Sequence, residues 1–106
     1  MEITKNLTGD VLELIVSGRV DGAGANQLEL DVLAATRTPA KNIYVNLCQA
    51  TFLCSAGLRV LLQYWRQMKN AGRVLQVSNP SAEVDAVLAM TGFRDQIVEG
   101  AHNRPA

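Results

Sequence analysis

Ser55 is the residue of this chain whose position suggests chemistry most clearly. It stands between a short apolar strand predicted at Ile43 to Leu47 and a long amphipathic helix predicted from about Ala56. This spacing makes Ser55 the predicted N-cap of the helix, with its hydroxyl facing the free N–H groups of Gly57 and Leu58. Because a helix N-terminus favours negative charge, such a serine can be a plain cap or a switch that gains a phosphate.

Enzymatic chemistry finds little support elsewhere in the sequence. His102 is the only histidine and lies near the C-terminus, so a zinc site and Ser–His or Cys–His catalysis are not expected. A G-x-S-x-G nucleophile elbow would require glycine at Leu53, and no GxxxxGK(S/T) phosphate loop occurs. We therefore expect no enzyme activity, no metal and no cofactor.

The two cysteines, Cys48 and Cys54, match neither a CxxC pair nor a metal-ligand spacing. The first interpretation is a pair of reduced, partly buried thiols. The second is a redox role for Cys54, because a helix N-terminus lowers the pKa of a thiol.

Composition predicts one globular domain. The chain has 106 residues, 48% of them apolar and 19% charged, with a formal net charge of zero. A neutral chain has no general basic field for nucleic acid or anionic lipid. The start of the sequence does not look like a signal peptide, and no apolar stretch is long enough to span a bilayer. We expect a cytoplasmic protein without membrane insertion.

Strand and helix patterns alternate along the chain. Residues Val11 to Ser17 predict a strand that forms a hairpin with residues 1–5. Asp21 is the predicted N-cap of a helix from Gly22 to Thr36. Its inward-facing residues are predicted to be Ala25, Leu28, Val32 and Ala35.

The second half of the chain repeats the alternation. The helix after Ser55 is predicted to bury Leu58, Leu61, Leu62, Trp65 and Met68 and to end at Ala71-Gly72. A buried strand is predicted at Val74 to Val77, followed by a last helix with Asn79 as cap and Pro80 at its first position. Residues 96–98 predict a short edge strand. We expect a domain over 1–99 and a flexible tail over 100–106.

This order predicts an α/β fold whose mixed, mostly parallel sheet has four to five strands. In such a sheet the turns that leave the parallel strands emerge at one edge, where partners commonly bind. The turns at Asp21, Ser55 and Asn79 are therefore expected to lie close together. The exposed antiparallel edge strand would permit a homodimer.

Five motifs occur together in a fixed order. They are Val16-Ser17-Gly18-Arg19-Val20-Asp21, Ile43-Tyr44-Val45-Asn46-Leu47, Phe52-Leu53-Cys54-Ser55-Ala56-Gly57-Leu58, Leu75-Gln76-Val77-Ser78-Asn79-Pro80 and Leu88-Ala89-Met90-Thr91-Gly92-Phe93. In this order, and over about Ile3 to Ile97, the chain resembles the STAS domain family, which includes the bacterial anti-sigma factor antagonists.

The resemblance implies a regulatory binding module. Its partner would be a serine-kinase anti-sigma factor, which phosphorylates the antagonist, and a phosphatase would reverse the modification. Ser55 aligns with the phosphate acceptor, Gly57 and Leu58 with the residues after it, and Asp21 with the acid after the second strand. The partner-binding residues implied are Asp21, Gly22, Cys54, Ser55, Ala56, Gly57, Leu58, Arg59 and Asn79.

The chain departs from the family pattern near the acceptor. Members usually read Asp-Ser-Ser-Gly-Leu, whereas Cys54 and Ala56 here replace the acid and the second serine, and Asn46 stands where aspartate is common. Two alternatives therefore remain. One is an unphosphorylated structural STAS subunit of a lipid transporter or signalling scaffold, in which Ser55 only caps. The other is a sensor that binds a small anion at the Ser55 helix end.

Overall fold

A four-stranded sheet lies at the centre of the computed structural model, which describes residues 1–100. The strands are β1 (Glu2–Thr8), β2 (Val11–Val20), β3 (Asn42–Leu53) and β4 (Val74–Ser78), and they lie side by side in that order. β1 is antiparallel to β2, while β2, β3 and β4 are parallel. The predicted mixed, mostly parallel sheet is confirmed. The tail prediction for 101–106, with His102, lies outside the described residues.

The helices are α1 (Gly22–Thr36), α2 (Ser55–Asn70), α3 (Ala82–Ala89) and α4 (Arg94–Ile97). The bounds predicted for α1 are confirmed, and so is its inward face. The stop at Ala71-Gly72 is also confirmed, since Gly72 has a positive φ of 71°. Within residues 1–100, no helix is both long and apolar enough to cross a lipid bilayer.

Two predictions about the C-terminal region are wrong. The cap of α3 is Ser81 rather than Asn79, because the Ser81 hydroxyl accepts from the Val84 N–H at 3.3 Å and donates to the Ala50 carbonyl at 2.6 Å. The predicted strand at 96–98 is mostly helical, and only Val98 makes a bridge, to Val77.

The sheet has one apolar face and one polar face. On the apolar face, alternate residues of β2 and β3 pack against the helices in a single core. Helix α2 adds Val60, Leu61, Tyr64 and Met68 to this core. The stripe predicted for α2 is therefore only partly right, since Leu58, Leu62 and Trp65 are half-buried.

Strand β3 continues six residues beyond its predicted end because it pairs with β2 as far as Leu53, and it carries two bulges. Its pairing with β2 shifts between Ile15 and Ser17 and again between Gly18 and Arg19, and each shift adds one residue to β3. Each extra residue changes the side-chain alternation, so the buried positions Leu47, Ala50 and Leu53 are three residues apart. Because a regular strand buries every second residue, this three-residue spacing did not predict a strand beyond Leu47.

Candidate functional site

The loops after β2 and β3 meet at the edge of the sheet where α2 begins. Val20 pairs with Leu53, and the Cys54 N–H donates to the Val20 carbonyl at 2.9 Å. Asp21 directly follows Val20 and Ser55 directly follows Cys54, so the structure brings the two loops together as predicted. We call this surface, residues 19–22 and 52–59, the Ser55 rim.

Ser55 is the first residue of α2 and is exposed to solvent. The predicted cap is therefore one residue out of place: Cys54 is the N-cap, with φ −79° and ψ 169°, and its side chain makes no capping hydrogen bond. Among the hydrogen bonds of residues 1–100, none involves the Ser55 hydroxyl. That hydroxyl is thus accessible to a reacting group, whereas a true cap would be occupied.

The backbone N–H groups at the start of α2 differ from the prediction in one respect. The Leu58 N–H already donates to the Cys54 carbonyl at 3.0 Å. The N–H groups of Ser55, Ala56 and Gly57 precede this first intrahelical bond, and such groups lack an acceptor within the helix. A negative charge on Ser55 would therefore lie near these N–H groups, and the helix dipole would favour it.

Asp21 caps α1, and Gly22 opens that helix. The carboxylate of Asp21 accepts a hydrogen bond from the Gly24 N–H at 2.9 Å. Both Asp21 and Gly22 are exposed, so they remain accessible from solvent. The capping role is therefore established by the geometry, and a partner contact by Asp21 or Gly22 stays a prediction.

Gly57 brings α2 close to the sheet. A Cβ at this position would lie 2.8 Å from a methyl group of Leu53 and 2.9 Å from one of Val20. Gly57 is buried, and its φ is not in the left-handed region, so the space and not the backbone conformation requires glycine. Its first role is therefore to seat the helix that carries Ser55.

Solvent exposure differs among Ala56, Leu58 and Arg59, which follow Ser55 in α2. Ala56 and Leu58 are half-buried against the core, and Arg59 is fully on the surface. Arg59 takes part in none of the ion pairs found within residues 1–100. Its guanidinium is available to an external group.

Asn79 does not lie on the Ser55 rim. Ser78, the last residue of β4, is level with Ile15, five residues before the end of β2, a distance of roughly 16 Å along the strand. Asn79 instead lines a shallow cavity of about 270 Å³ on the polar face, together with Glu13 and Tyr44. The predicted convergence of three loops is therefore wrong for the third, because β3 outruns β4.

Two rim residues were missed by the sequence reasoning. Arg19 and Phe52 pair across β2 and β3, both are exposed, and the guanidinium carbon lies 4.3 Å from the ring centroid. They stand within the motifs that carry the family resemblance. The bulge that places them opposite each other left no signal in the sequence.

The two cysteines form no disulfide, and the partial burial that the first interpretation predicted is right for Cys54 and wrong for Cys48. Cys48 is exposed and Cys54 is half-buried, and both are free. Across the part of the chain that the structure describes, no group of His, Cys, Asp and Glu side chains could hold a metal ion.

Comparison with known proteins places the chain in a family. A family model described as "Mlab, STAS domain" matches residues 3–99. This chain belongs to the STAS domain family. A relative from Bordetella bronchiseptica, BtrV, named as an anti-sigma factor antagonist, is 27% identical over 93 residues, which cover 88% of this chain and 80% of the relative.

Solved structures agree with this fold. An anti-sigma factor antagonist from Mycobacterium paratuberculosis superposes with a TM-score of 0.82 at 20% identity, covering 92% of this chain and 82% of that one. The anti-sigma factor antagonist SpoIIAA in its unphosphorylated form gives a TM-score of 0.78 at 18% identity, with 92% and 85% covered. The Bacillus protein SpoIIAA in its phosphorylated form gives 0.73 at 18% identity, with 92% and 88% covered.

Proposed function

We propose that this protein is an anti-sigma factor antagonist that binds a serine-kinase anti-sigma factor and thereby releases the sigma factor. Phosphorylation of Ser55 by the kinase ends the binding, and a phosphatase restores it. The observation that carries the proposal is the exposed Ser55 at the first position of α2, with a hydroxyl that bonds to nothing in residues 1–100. The relative BtrV bears the corresponding name.

We expect the phosphate to weaken partner binding without unfolding the domain. A phosphoserine carries about −1.5 to −2 charges, and the N-terminus of α2 accommodates that charge. A kinase surface seated on the Ser55 rim would meet the charge directly, and like-charge juxtaposition at an interface costs several kcal/mol. Each 1.4 kcal/mol is about tenfold in affinity, so one phosphate converts a tight complex into a weak one.

The substitutions beside the acceptor set the character of this switch. Cys54 and Ala56 remove one carboxylate and one hydroxyl from the usual pattern, so the rim is less acidic before phosphorylation. Phosphorylation then increases the negative charge of the rim by a larger proportion than it would if an aspartate preceded Ser55. The proposed contact surface is completed by Asp21, Gly22, Leu58 and Arg59, whereas the buried Gly57 acts by holding α2 close to the sheet. The exchange takes place in the cytoplasm without enzyme activity of this chain.

The test is incubation with the cognate kinase and ATP, read by intact mass. We expect one added phosphate on the wild type and on Ser17→Ala, and none on Ser55→Ala. Calorimetry should show tight kinase binding by Ser55→Ala and at least tenfold weaker binding by Ser55→Asp. If the wild type gains no phosphate and Ser55→Asp binds the kinase as tightly as the wild type does, the phosphorylation switch is contradicted and kinase binding alone is supported.

A second function is favoured by two observations: the matching family model carries the description Mlab, and the chain lacks the acid and second serine of the usual motif. In that case the protein is a structural STAS subunit of a lipid transporter, and the Ser55 rim docks constitutively on a transporter ATPase. Co-purification with that ATPase, unchanged in Ser55→Asp, would support it. Dependence of binding on residue 55 would contradict it.

A further inference from the structure

Arg19 and Phe52 form an exposed stack on the polar side of the Ser55 rim. They are register partners across β2 and β3, and the guanidinium carbon lies 4.3 Å above the ring centroid. Phe52 retains 37% of its surface in solvent, so part of its ring is available for an apolar contact. The next pair along the strands, Val20 and Leu53, is buried and anchors the stack to the core.

The stack exists because β3 carries its second bulge at this point. Gly18 pairs with Ala50 and Arg19 pairs with Phe52, so Thr51 is the inserted residue. Without this bulge, Thr51 would pair with Arg19, and Phe52 would not lie opposite it. Bulges in parallel pairs are rare, and those beside functional sites commonly serve to redirect a side chain.

The guanidinium of Arg19 keeps its hydrogen-bonding capacity for an external group. In the region that the structure describes, Arg19 takes part in no ion pair, and its side chain donates no hydrogen bond. The nearby carboxylate of Asp21 is already engaged by the Gly24 N–H. An arginine held over a ring has also lost part of its rotamer freedom, so less entropy remains to be lost on binding.

We infer that the Arg19–Phe52 stack is the anchor through which the serine-kinase anti-sigma factor docks, by receiving a carboxylate of the kinase on Arg19 and an apolar side chain on Phe52. This inference rests on the proposed function and names residues of that interface. Arginine and aromatic residues dominate binding hot spots, and a guanidinium fork matches a carboxylate. Phosphorylation acts at Ser55, whereas the stack supplies affinity in the unmodified state.

The chain offers a matched control for this test. Arg66 lies over the ring of Phe93 at 5.2 Å, an arginine-on-aromatic stack of the same kind. Residue 66 is eleven positions after Ser55 in α2, roughly 16 Å along the helix, and so it lies away from the Ser55 rim. Loss of Arg66 should change local packing and leave kinase binding alone.

The experiment measures association of the purified cognate kinase with the full chain by surface plasmon resonance at two salt concentrations. We expect Arg19→Gln and Phe52→Ser each to weaken binding at least tenfold, and Arg66→Gln to stay within twofold of wild type. The association rate of the wild type should fall with salt, and Arg19→Gln should flatten that dependence because a steering charge is gone. Arg19→Lys should keep the salt dependence and lose part of the affinity.

The outcomes separate the inference from the proposed function. If wild type does not bind the kinase, the proposed function fails. If wild type binds and both Arg19→Gln and Phe52→Ser bind within twofold of it, only the inference is overturned. Melting curves accompany each variant, and a Phe52→Ser chain that does not fold leaves the decision to Arg19→Gln and Arg19→Lys, whose changes are on the surface.

Discussion

The N–H of Cys54 donates to the carbonyl of Val20 at 2.9 Å, and this bond joins the end of β3 to the end of β2 at the point where α2 begins. The donor is the N–H of Cys54, the N-cap of α2, so the start of the helix is fixed to the end of β2. Ser55 is therefore held at a fixed position by main-chain bonding, and its side chain takes no part in the fold. A modification of Ser55 can change binding while the domain remains intact.

A negative charge at residue 55 should stabilise the domain slightly. We expect Ser55→Asp to raise the free energy of unfolding by about 0.5 kcal/mol at low salt, because the charge meets the positive end of the α2 dipole. Asn70→Asp, at the last residue of the same helix, should have the opposite sign. Urea unfolding at low and high salt measures both. A Ser55→Asp chain that unfolds more easily than wild type would show that the site is more tightly packed than its exposure indicates.

The N-cap of α2 is open to improvement. Cys54 has the extended backbone conformation of a cap, but its side chain makes no capping bond. Cys54→Ser should therefore stabilise the protein by about 0.5–1 kcal/mol, since a hydroxyl can accept from an early N–H of the helix. The reverse experiment on α1, Asp21→Ala, removes a 2.9 Å capping bond and should cost about 1 kcal/mol. Equal stabilities of Cys54→Ser and wild type would exclude a new cap bond.

Gly57 and Gly22 provide a matched pair of glycines near helix starts. Gly57→Ala should destabilise the protein by about 1–3 kcal/mol, because its methyl group would overlap Leu53 and Val20. Gly22→Ala has no heavy atom within 4 Å of the new methyl group and should be neutral or stabilising by up to about 1 kcal/mol. Chemical denaturation of both variants decides this. A neutral Gly57→Ala would mean that α2 can shift outward, and kinase binding should then change with it.

Much of this architecture could be predicted from local patterns. The bounds of α1 followed from Asp21 and from the helical spacing of its small and apolar residues, and the end of α2 followed from Gly72. The alternation of strands and helices was enough to predict a parallel sheet. These signals lie within a few residues of the feature they specify.

The errors arose where distant strands decide the outcome. β2 and β3 continue to pair beyond the end of β4, so Asn79 lies away from the Ser55 rim, and the bulges in β3 depend on the same pairing. The cap of α3 was misplaced because Ser81 bonds to Ala50, thirty-one residues away. The contact of Arg19 with Phe52 has the same origin. Sequence patterns identified the right loops, and pairing across the sheet decided which side chains meet.

Tyr64 should make stability fall in alkaline solution. Its side chain is buried between α2 and α1, and burial, followed by the negative charge of Glu29, raises its pKa above the ordinary value of 10, while Arg37 opposes the shift. The folded state thus favours the protonated phenol more than the unfolded state does.

The stabilising contribution of Tyr64 is complete below pH 10, the ordinary pKa that holds in the unfolded chain, and is lost as pH rises through the higher folded pKa. Unfolding measured by urea between pH 8 and about pH 11 should therefore show a decline that Tyr64→Phe reduces. Tyr44→Phe, on the polar face of the sheet, serves as the control and should decline like wild type. An identical decline in Tyr64→Phe and wild type would place the alkaline transition on another group. Glu29→Gln should reduce the loss of stability relative to wild type without abolishing it, since burial remains the first cause of the raised pKa of Tyr64.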